Sequence, residues 1–301
     1  MSGRHVDLHT HSSASDGSDP PALLVRKAAI LGLEAVALTD HDTVDGLEEA
    51  AVEADRLAIR LIPGCELAVR EPRLGEIHLL GLWVPASSRT LREALAVIRE
   101  HRIQRNRRML DKLRALGMPL EEEDLPARPP GAAPGRPHIA RALLDKGYVR
   151  DISSAFSLYL GEEKAAFVPR ILPGPREGIR LLAGEGATVV LAHPFLHPGM
   201  TPELLGDILG RWRAWGLDAL EVYHSSHSSG HVRQALLLAD RYGLLPTGGS
   251  DYHGEFKSDA VLGKPRVPAA LLDRLEEYRR TGSKAGSRPA ARSPRGAVTP
   301  G

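Results

Sequence analysis

An α/β barrel is the fold this sequence predicts, and three observations predict it. Seven short β-rich runs recur along the chain: "HVDLH", "EAVALTD", "IRLIPGCE", "EIHLLGLWV", "ATVVLAHP", "DALEVYH" and "LLPTGGSD". Several are near-continuous apolar runs, the pattern of parallel strands buried on both faces. Helical patterns alternate with them, which implies a parallel sheet with right-handed crossovers. The length of 301 residues suits one barrel-sized domain, and seven strands are more than a small open sheet needs.

Taken in order, the first run is followed by a Ser/Gly-rich loop and a helical pattern at 21–31. The second is followed by a helical pattern at 47–56. The third and fourth runs come close together. Helical patterns at 176–184, 201–215 and 230–242 precede the fifth, sixth and seventh runs. The alternation breaks between 96 and 165, where no barrel strand is expected. That stretch reads as a long basic helix, "AVIREHRIQRNRRMLDKLRALG", and an acidic turn, "EEEDLP". A Pro/Gly-rich loop, "ARPPGAAPGRP", and two helical segments, "HIARALLDKG" and "DISSAFSLYLG", follow. The expected organisation is a discontinuous barrel (1–95 and 166–280), a helical insertion (96–165) and a disordered basic tail (281–301). The tail is Gly/Ser/Pro/Arg-rich and has no apolar periodicity. It reads as a solvated tail, with a weak RNA-attracting arm as the sharper alternative.

Composition narrows the function. A net charge of +1 provides no global field toward nucleic acid or membrane, and 4% aromatics argues against a base-stacking platform. Cys65 is the single cysteine, so no internal disulfide forms, which fits a reducing compartment. The start "MSGRHVDLHTH" lacks an apolar signal region, and no apolar run reaches membrane-spanning length. A cytoplasmic protein with no membrane association and no stable protein partner is expected.

Polar residues stand where barrel chemistry stands, at the carboxyl ends of strands and in the loops after them. The first run ends in His9 and His11, with Asp16 in the loop, and the second in Asp40 and His41. The third ends in Glu66, the fourth contains His78, and the fifth ends at His193. The sixth ends at His224, and the seventh at Asp251 and His253. Imidazoles with carboxylates and no thiolate suit Zn²⁺, Mn²⁺ or Fe²⁺. His9 and His11, two apart on an extended segment, point to the same side. So many histidines and carboxylates exceed one tetrahedral site and imply two or three ions bridged by a carboxylate. Cys65, adjoining Glu66, points the other way and reads as core.

The segments "DLHTHSSASDG", "LTDHDTVDG", "GCE", "IHLLG", "AHP" and "GGSDYHG" resemble the PHP (polymerase and histidinol phosphatase) family of metal-dependent phosphoesterases. The resemblance covers about 5–280 and lies closest to the branch with 3′,5′-nucleoside bisphosphate phosphatases and a 5′→3′ RNA exonuclease. It implies a distorted (β/α)7 barrel with three divalent metal ions, manganese first and iron or zinc as alternatives. Carried over by position, one ion takes His9, His11, Glu66 and Asp251. A second takes Asp16, His41 and His253, and a third takes Glu66, His78 and His193, with Glu66 bridging. Asp16, where other members have His, favours the nucleotide-phosphatase branch.

The implied reaction is hydrolysis of the 3′-phosphate of a nucleoside 3′,5′-bisphosphate such as pAp by a metal-bridged hydroxide. Asp16, His41, Glu66, His193, Asp251 and His253 are the expected catalytic groups. Arg136 and His138, in "GRPH", are expected to bind the second phosphate, and His224 to touch phosphate or the leaving group. Asp40 is either a partner of a ligating histidine or a turn aspartate. The basic helix, with Arg102, Arg105 and Arg108 on one face, is either a solvated face or a guide for an RNA backbone. Two alternatives stand beside the phosphatase: a 5′→3′ exoribonuclease on short 5′-phosphorylated RNA, and a non-catalytic PHP metal-binding module.

Overall fold

The computed structural model describes residues 4–127, 133–197 and 199–282. The expected tail beyond 282 lies outside the described residues, as does 128–132 of the Pro/Gly-rich loop. All seven runs form strands: β1 (His5–Asp7), β2 (Ala35–Leu38), β3 (Arg60–Glu71), β4 (Gly75–Leu82), β5 (Thr188–Leu191), β6 (Ala219–His224) and β7 (Leu245–Gly249). A two-residue strand, β8 (Val267–Pro268), is added antiparallel to β1. The sheet order is β7-β6-β5-β4-β3-β2-β1-β8. The barrel closes where Leu8 donates to the Gly248 carbonyl at 3.2 Å and Asp251 to the His9 carbonyl at 2.9 Å. The fold is a mixed α/β, nearly closed barrel.

The expectation of an all-parallel sheet is corrected. β1–β2–β3 and β5–β6–β7 are parallel, but β4 is antiparallel to both β3 and β5. The reason is reach: only 72–74 separate β3 from β4, and a parallel crossover needs about a dozen residues. β3 also runs on past Glu66 to Glu71 in this hairpin, so Glu66 lies inside the strand, not at its end.

Period-two alternation sorts the strands into two cores. Ala35, Ala37, Ile62, Leu80, Leu82, Val190 and Ala219 form a barrel-lining cluster, joined by Leu272 and Leu275. Their neighbours Val36, Leu38, Leu79, Val189, Leu191, Leu220 and Val222 pack outward against the surrounding helices. Cys65 belongs to the outward set, and burial pushes its thiol well above the usual range.

The helices around the barrel are α1 (Pro21–Ile30), α2 (Leu47–Leu57), α3 (Arg89–Ala115), α6 (Pro175–Gly184), α7 (Pro202–Trp215), α8 (Ser229–Tyr242) and α9 (Ala269–Thr281), with α4 (Arg136–Asp145) and α5 (Ile152–Ala155) between α3 and α6. Their ends carry ordinary signals. Proline opens α1, α6 and α7, and Ser88, Thr201 and Ser228 cap α3, α7 and α8. The Ser88 cap starts the basic helix at Arg89, earlier than its charge pattern suggested. The distal part of α3, α4, α5 and a π-turn at Phe156–Leu160 bury Met109, Leu113, Leu120, Ile139, Leu143 and Leu160 in a core of their own.

Closure of the barrel depends on "GGSD". A Cβ on Gly249 would fall 2.4 Å from the His9 nitrogen and 2.4 Å from its Cβ. Substituting G249A is expected to lower stability by about 1–3 kcal/mol, from overpacking where β7 meets β1. Urea denaturation of the two proteins measures it.

Candidate metal centre

Alternation carries the site residues inward. Glu66 shares the inward register with Ile62, His78 shares it with Leu80 and Leu82, and both sit beneath the mouth of the barrel. His9, His11 and Glu66 are completely buried, and Asp16, Asp251 and His253 nearly so. Three groups of ligand atoms converge closely enough to hold an ion: His9, His11, Glu66 and Asp251; His11, Asp16, His41 and His253; and His41, Glu66 and His78. The first group coincides with the expected set. The second adds His11, and in the third His41 stands where His193 was expected. His193 is nonetheless at hand, its Nε2 3.0 Å from Glu66 Oε1.

The donor geometry fits cations. Glu66 Oε2 lies 3.0 Å from His41 Nδ1 and 3.1 Å from His11 Nε2, yet it accepts no directed hydrogen bond. His9 Nε2 and His11 Nε2 face each other at 3.1 Å. A fully buried carboxylate oxygen among imidazole nitrogens without a proper hydrogen bond is costly unless a cation joins the group.

Charge within the metal-free cluster is polarised. Burial opposes ionisation of Glu66, Asp16 and Asp251, but neighbouring imidazoles and cations outweigh it and hold all three well below the usual carboxylate range. Burial pulls His11 down, while Asp251 and Glu66 outweigh it and raise it to about 9. His78, likewise buried, is raised by Glu66 and Glu76 to about 10. For His41 burial prevails and lowers it to about 4.

The remaining expected residues fall as follows. Asp40 makes no hydrogen bond to a histidine among the described residues, although His11 is close enough to favour its charge: it accepts from the Ser12 N–H at 2.8 Å, Ser12 Oγ at 2.7 Å and Ser15 Oγ at 2.6 Å, fixing the loop that carries Asp16. His224 is buried with Nε2 3.3 Å from Asp251 Oδ2, and the Ser226 N–H donates to its Nδ1. His138 is buried at the start of α4, where its Nδ1 accepts the Gly135 N–H at 3.0 Å and its ring packs on Phe256. Arg136 lines a cavity of about 630 Å³ that also exposes Asp16, His41, Glu66, His78, His193, Asp251 and His253. The basic helix is not a uniformly solvated face. Arg102 and Arg105 are buried and line that cavity, while Arg108 is exposed.

Sequence reading passed over several participants. Asp42 takes Arg102 at 2.8 Å and Arg170 at 2.5 Å. Burial works against its ionisation, but the two guanidiniums hold it at about 2. Arg170 also pairs with Glu76 at 3.0 Å, and Glu76 lies 3.5 Å from His78 Nε2. Lys257 reaches Asp251 Oδ2 at 2.5 Å. Glu221 faces His9 and was legible in principle, as an acid in the inward register of β6 beside Ala219. Arg170 and Lys257 carry no comparable signal.

The family follows from the chain as well as the geometry. The PHP domain matches residues 7–118. A 3′,5′-nucleoside bisphosphate phosphatase of Chromobacterium violaceum is 33% identical over 265 residues, which cover 86% of this chain and 90% of that protein. This chain belongs to the PHP family. A 5′-3′ exoribonuclease of Haemophilus influenzae is 32% identical, over 83% of this chain and 90% of its own length. The crystal structure of a candidate metal-dependent phosphoesterase from Bifidobacterium adolescentis superposes with a TM-score of 0.81 at 31% identity, covering 90% of this chain and 95% of that one. The protein is therefore a PHP phosphoesterase, a hydrolase, with a His/Asp/Glu cluster that could bind metal ions.

Two predictions test the centre. A Cβ on Gly135 would fall 2.6 Å from Asp16 Oδ2, so G135A is expected to displace Asp16 and weaken metal binding about 10-fold or more. Metal analysis after dialysis measures it. Ions taking His11 and His78 must displace protons near neutrality, because both are raised above pH 7. Apparent affinity is therefore expected to rise from pH 7 toward pH 9, by up to about tenfold per pH unit for each proton released. Competition titrations at pH 7, 8 and 9 give the slope, and a flat profile contradicts the protonated state.

Proposed function

We propose that this PHP phosphoesterase removes the 3′-phosphate of nucleoside 3′,5′-bisphosphates, pAp among them. The carrying observation is Arg105. It is 4% exposed and lines the cavity beside the candidate ligands, and among the described residues it pairs with no acid. Its one hydrogen-bond partner is Met109 Sδ, at 3.1 Å. Burial, with Arg136, Arg170 and Arg102 nearby, outweighs the attraction of Glu76 and pushes its guanidinium down to about 9. A buried cation without a counter-ion is unfavourable, so the cavity suits an anion there. Arg105 and Arg136 hold the 5′-phosphate, and the 3′-phosphate then reaches the histidine–carboxylate cluster. The name of the Chromobacterium violaceum relative supports this substrate.

His9, His11, Glu66 and Asp251 would hold one ion, Asp16, His41 and His253 a second, and Glu66, His78 and His193 a third, manganese being the first choice. Bound there, such ions supply Lewis-acid stabilisation of the phosphoryl oxygens and an acidified water for the attack on phosphorus. The water oxygen bonds to phosphorus as the P–O3′ bond breaks, and the proton that the water gives up ends on the 3′-oxygen, which leaves as a hydroxyl. Lys257 keeps positive charge beside Asp251 at the cavity wall, where phosphoryl oxygens gain charge. His224 steadies Asp251 from behind. His138 contributes indirectly, by fixing the start of α4 that carries Arg136.

A second reading, 5′→3′ trimming of short 5′-phosphorylated RNA, has its own support. An adjoining cavity of about 310 Å³ shares Arg136, His78 and His193 with the first and provides space for further chain. A cytoplasmic location belongs to the same reading. No helix among the described residues is long and apolar enough to cross a membrane, and the one cysteine is buried and unbridged.

Manganese-loaded protein incubated with pAp is expected to yield AMP and phosphate. Stepwise release of 5′-mononucleotides from a 5′-phosphorylated pentaribonucleotide, with pAp untouched, selects the second reading. Turnover of neither rejects both. R105A is expected to lose about 10- to 100-fold in kcat/KM on pAp, the worth of a charge-assisted hydrogen bond, and little on 3′-AMP, which lacks the 5′-phosphate.

A further inference from the structure

Glu221 is completely buried and belongs to none of the three convergent ligand groups. Both of its oxygens are engaged. His9 Nδ1 donates to Oε1 at 3.0 Å and lies 3.3 Å from Oε2. The His193 backbone N–H donates to Oε2 at 2.7 Å.

Each bond sets something the cluster needs. His9 turns Nε2 toward the shared locus, 3.4 Å from Glu66 Oε1 and 3.5 Å from Asp251 Oδ1. An acceptor on Nδ1 keeps the proton there and leaves the Nε2 lone pair for a cation. His193 has φ 23° and ψ 57°, a left-handed conformation that residues with a Cβ rarely adopt. Its N–H bond to Glu221 holds this turn, and the turn aims Nε2 at Glu66 Oε1, 3.0 Å away. One carboxylate therefore orients a candidate ligand after β1 and another after β5. Those two ligands belong to different expected ion positions, which share Glu66, and their rings stack with centroids 5.6 Å apart.

We infer that Glu221 is a positioning residue coupling the His9-side and His193-side ion positions, so that losing one of its two acceptor oxygens empties both. This rests on reading the cluster as a metal centre. Glutamine preserves the shape but has one acceptor, and its amide N–H₂ must face either the His9 or the His193 donor.

The test loads chelator-treated wild-type, E221Q and H78A chains with zinc and counts ions per chain by mass spectrometry, alongside melting of the metal-free proteins. E221Q is expected to melt like wild-type when metal-free and to retain two fewer ions, with affinity for the remainder at least about tenfold weaker. H78A loses one ion. An E221Q chain that keeps the wild-type number, or loses only one, overturns the coupling while the metal centre stands. A wild-type chain that takes up no ion removes the metal reading and this inference with it. A second measurement does not depend on the variant folding. Long-range ¹H–¹⁵N spectra of zinc-loaded wild-type protein, with His9 assigned through H9Q, are expected to show a proton on Nδ1. A bare or metal-bound Nδ1 overturns the inference.

Discussion

Glu66 is wholly buried, and five imidazoles from four other segments lie within 3.4 Å of its carboxylate: His9 and His11 after β1, His41 after β2, His78 on β4 and His193 after β5. Such a charge cannot remain in a protein interior without compensation. Much of the barrel mouth is arranged around that compensation. The β3–β4 hairpin brings Glu66 and His78 onto one inward face, and the closure of β7 on β1 brings Asp251 and His253 to the far side.

A ring of charge surrounds this centre and ties the helical segment to it. Arg102 on α3 and Arg170 beyond α5 converge on Asp42, and Arg170 continues through Glu76 to His78. Arg102 also approaches Asp16 at 3.8 Å. The helices between β4 and β5 thus meet the candidate ligands through salt bridges as well as through Gly135, which packs on Asp16. Arg102 and Arg170 each contact an acid, whereas Arg105 has no salt bridge to an acid among the described residues.

Three of the six non-glycine residues with positive φ among the described residues lie at the same place. Asp42, His193 and Asp251 have positive φ without being glycine. Each is fixed by bonds to side chains or backbone of other segments, as functional strain usually is. For His193 the fixing group is Glu221, and for Asp42 it is the pair of arginines.

The sequence by itself carried the seven strands and the helices between them, because apolar periodicity is a local property, while the set of nine candidate ligands came from the resemblance to the PHP family. The shared side of His9 and His11 was legible from alternation alone, and so was the outward place of Cys65, while Glu66, expected at the end of β3, lies inside it. Glu221 was legible by the same rule, as an inward acid beside Ala219, although His224 is the polar residue that ends the same strand. The antiparallel β4 was also within reach, through the short link at 72–74. Only the tertiary structure decided that Asp40 organises a serine loop instead of a histidine, that Arg102 and Arg105 turn inward, and that Gly135 must be bare against Asp16. These depend on which distant segments meet, and contacts separated by 25 to 243 residues leave no periodic trace in the chain.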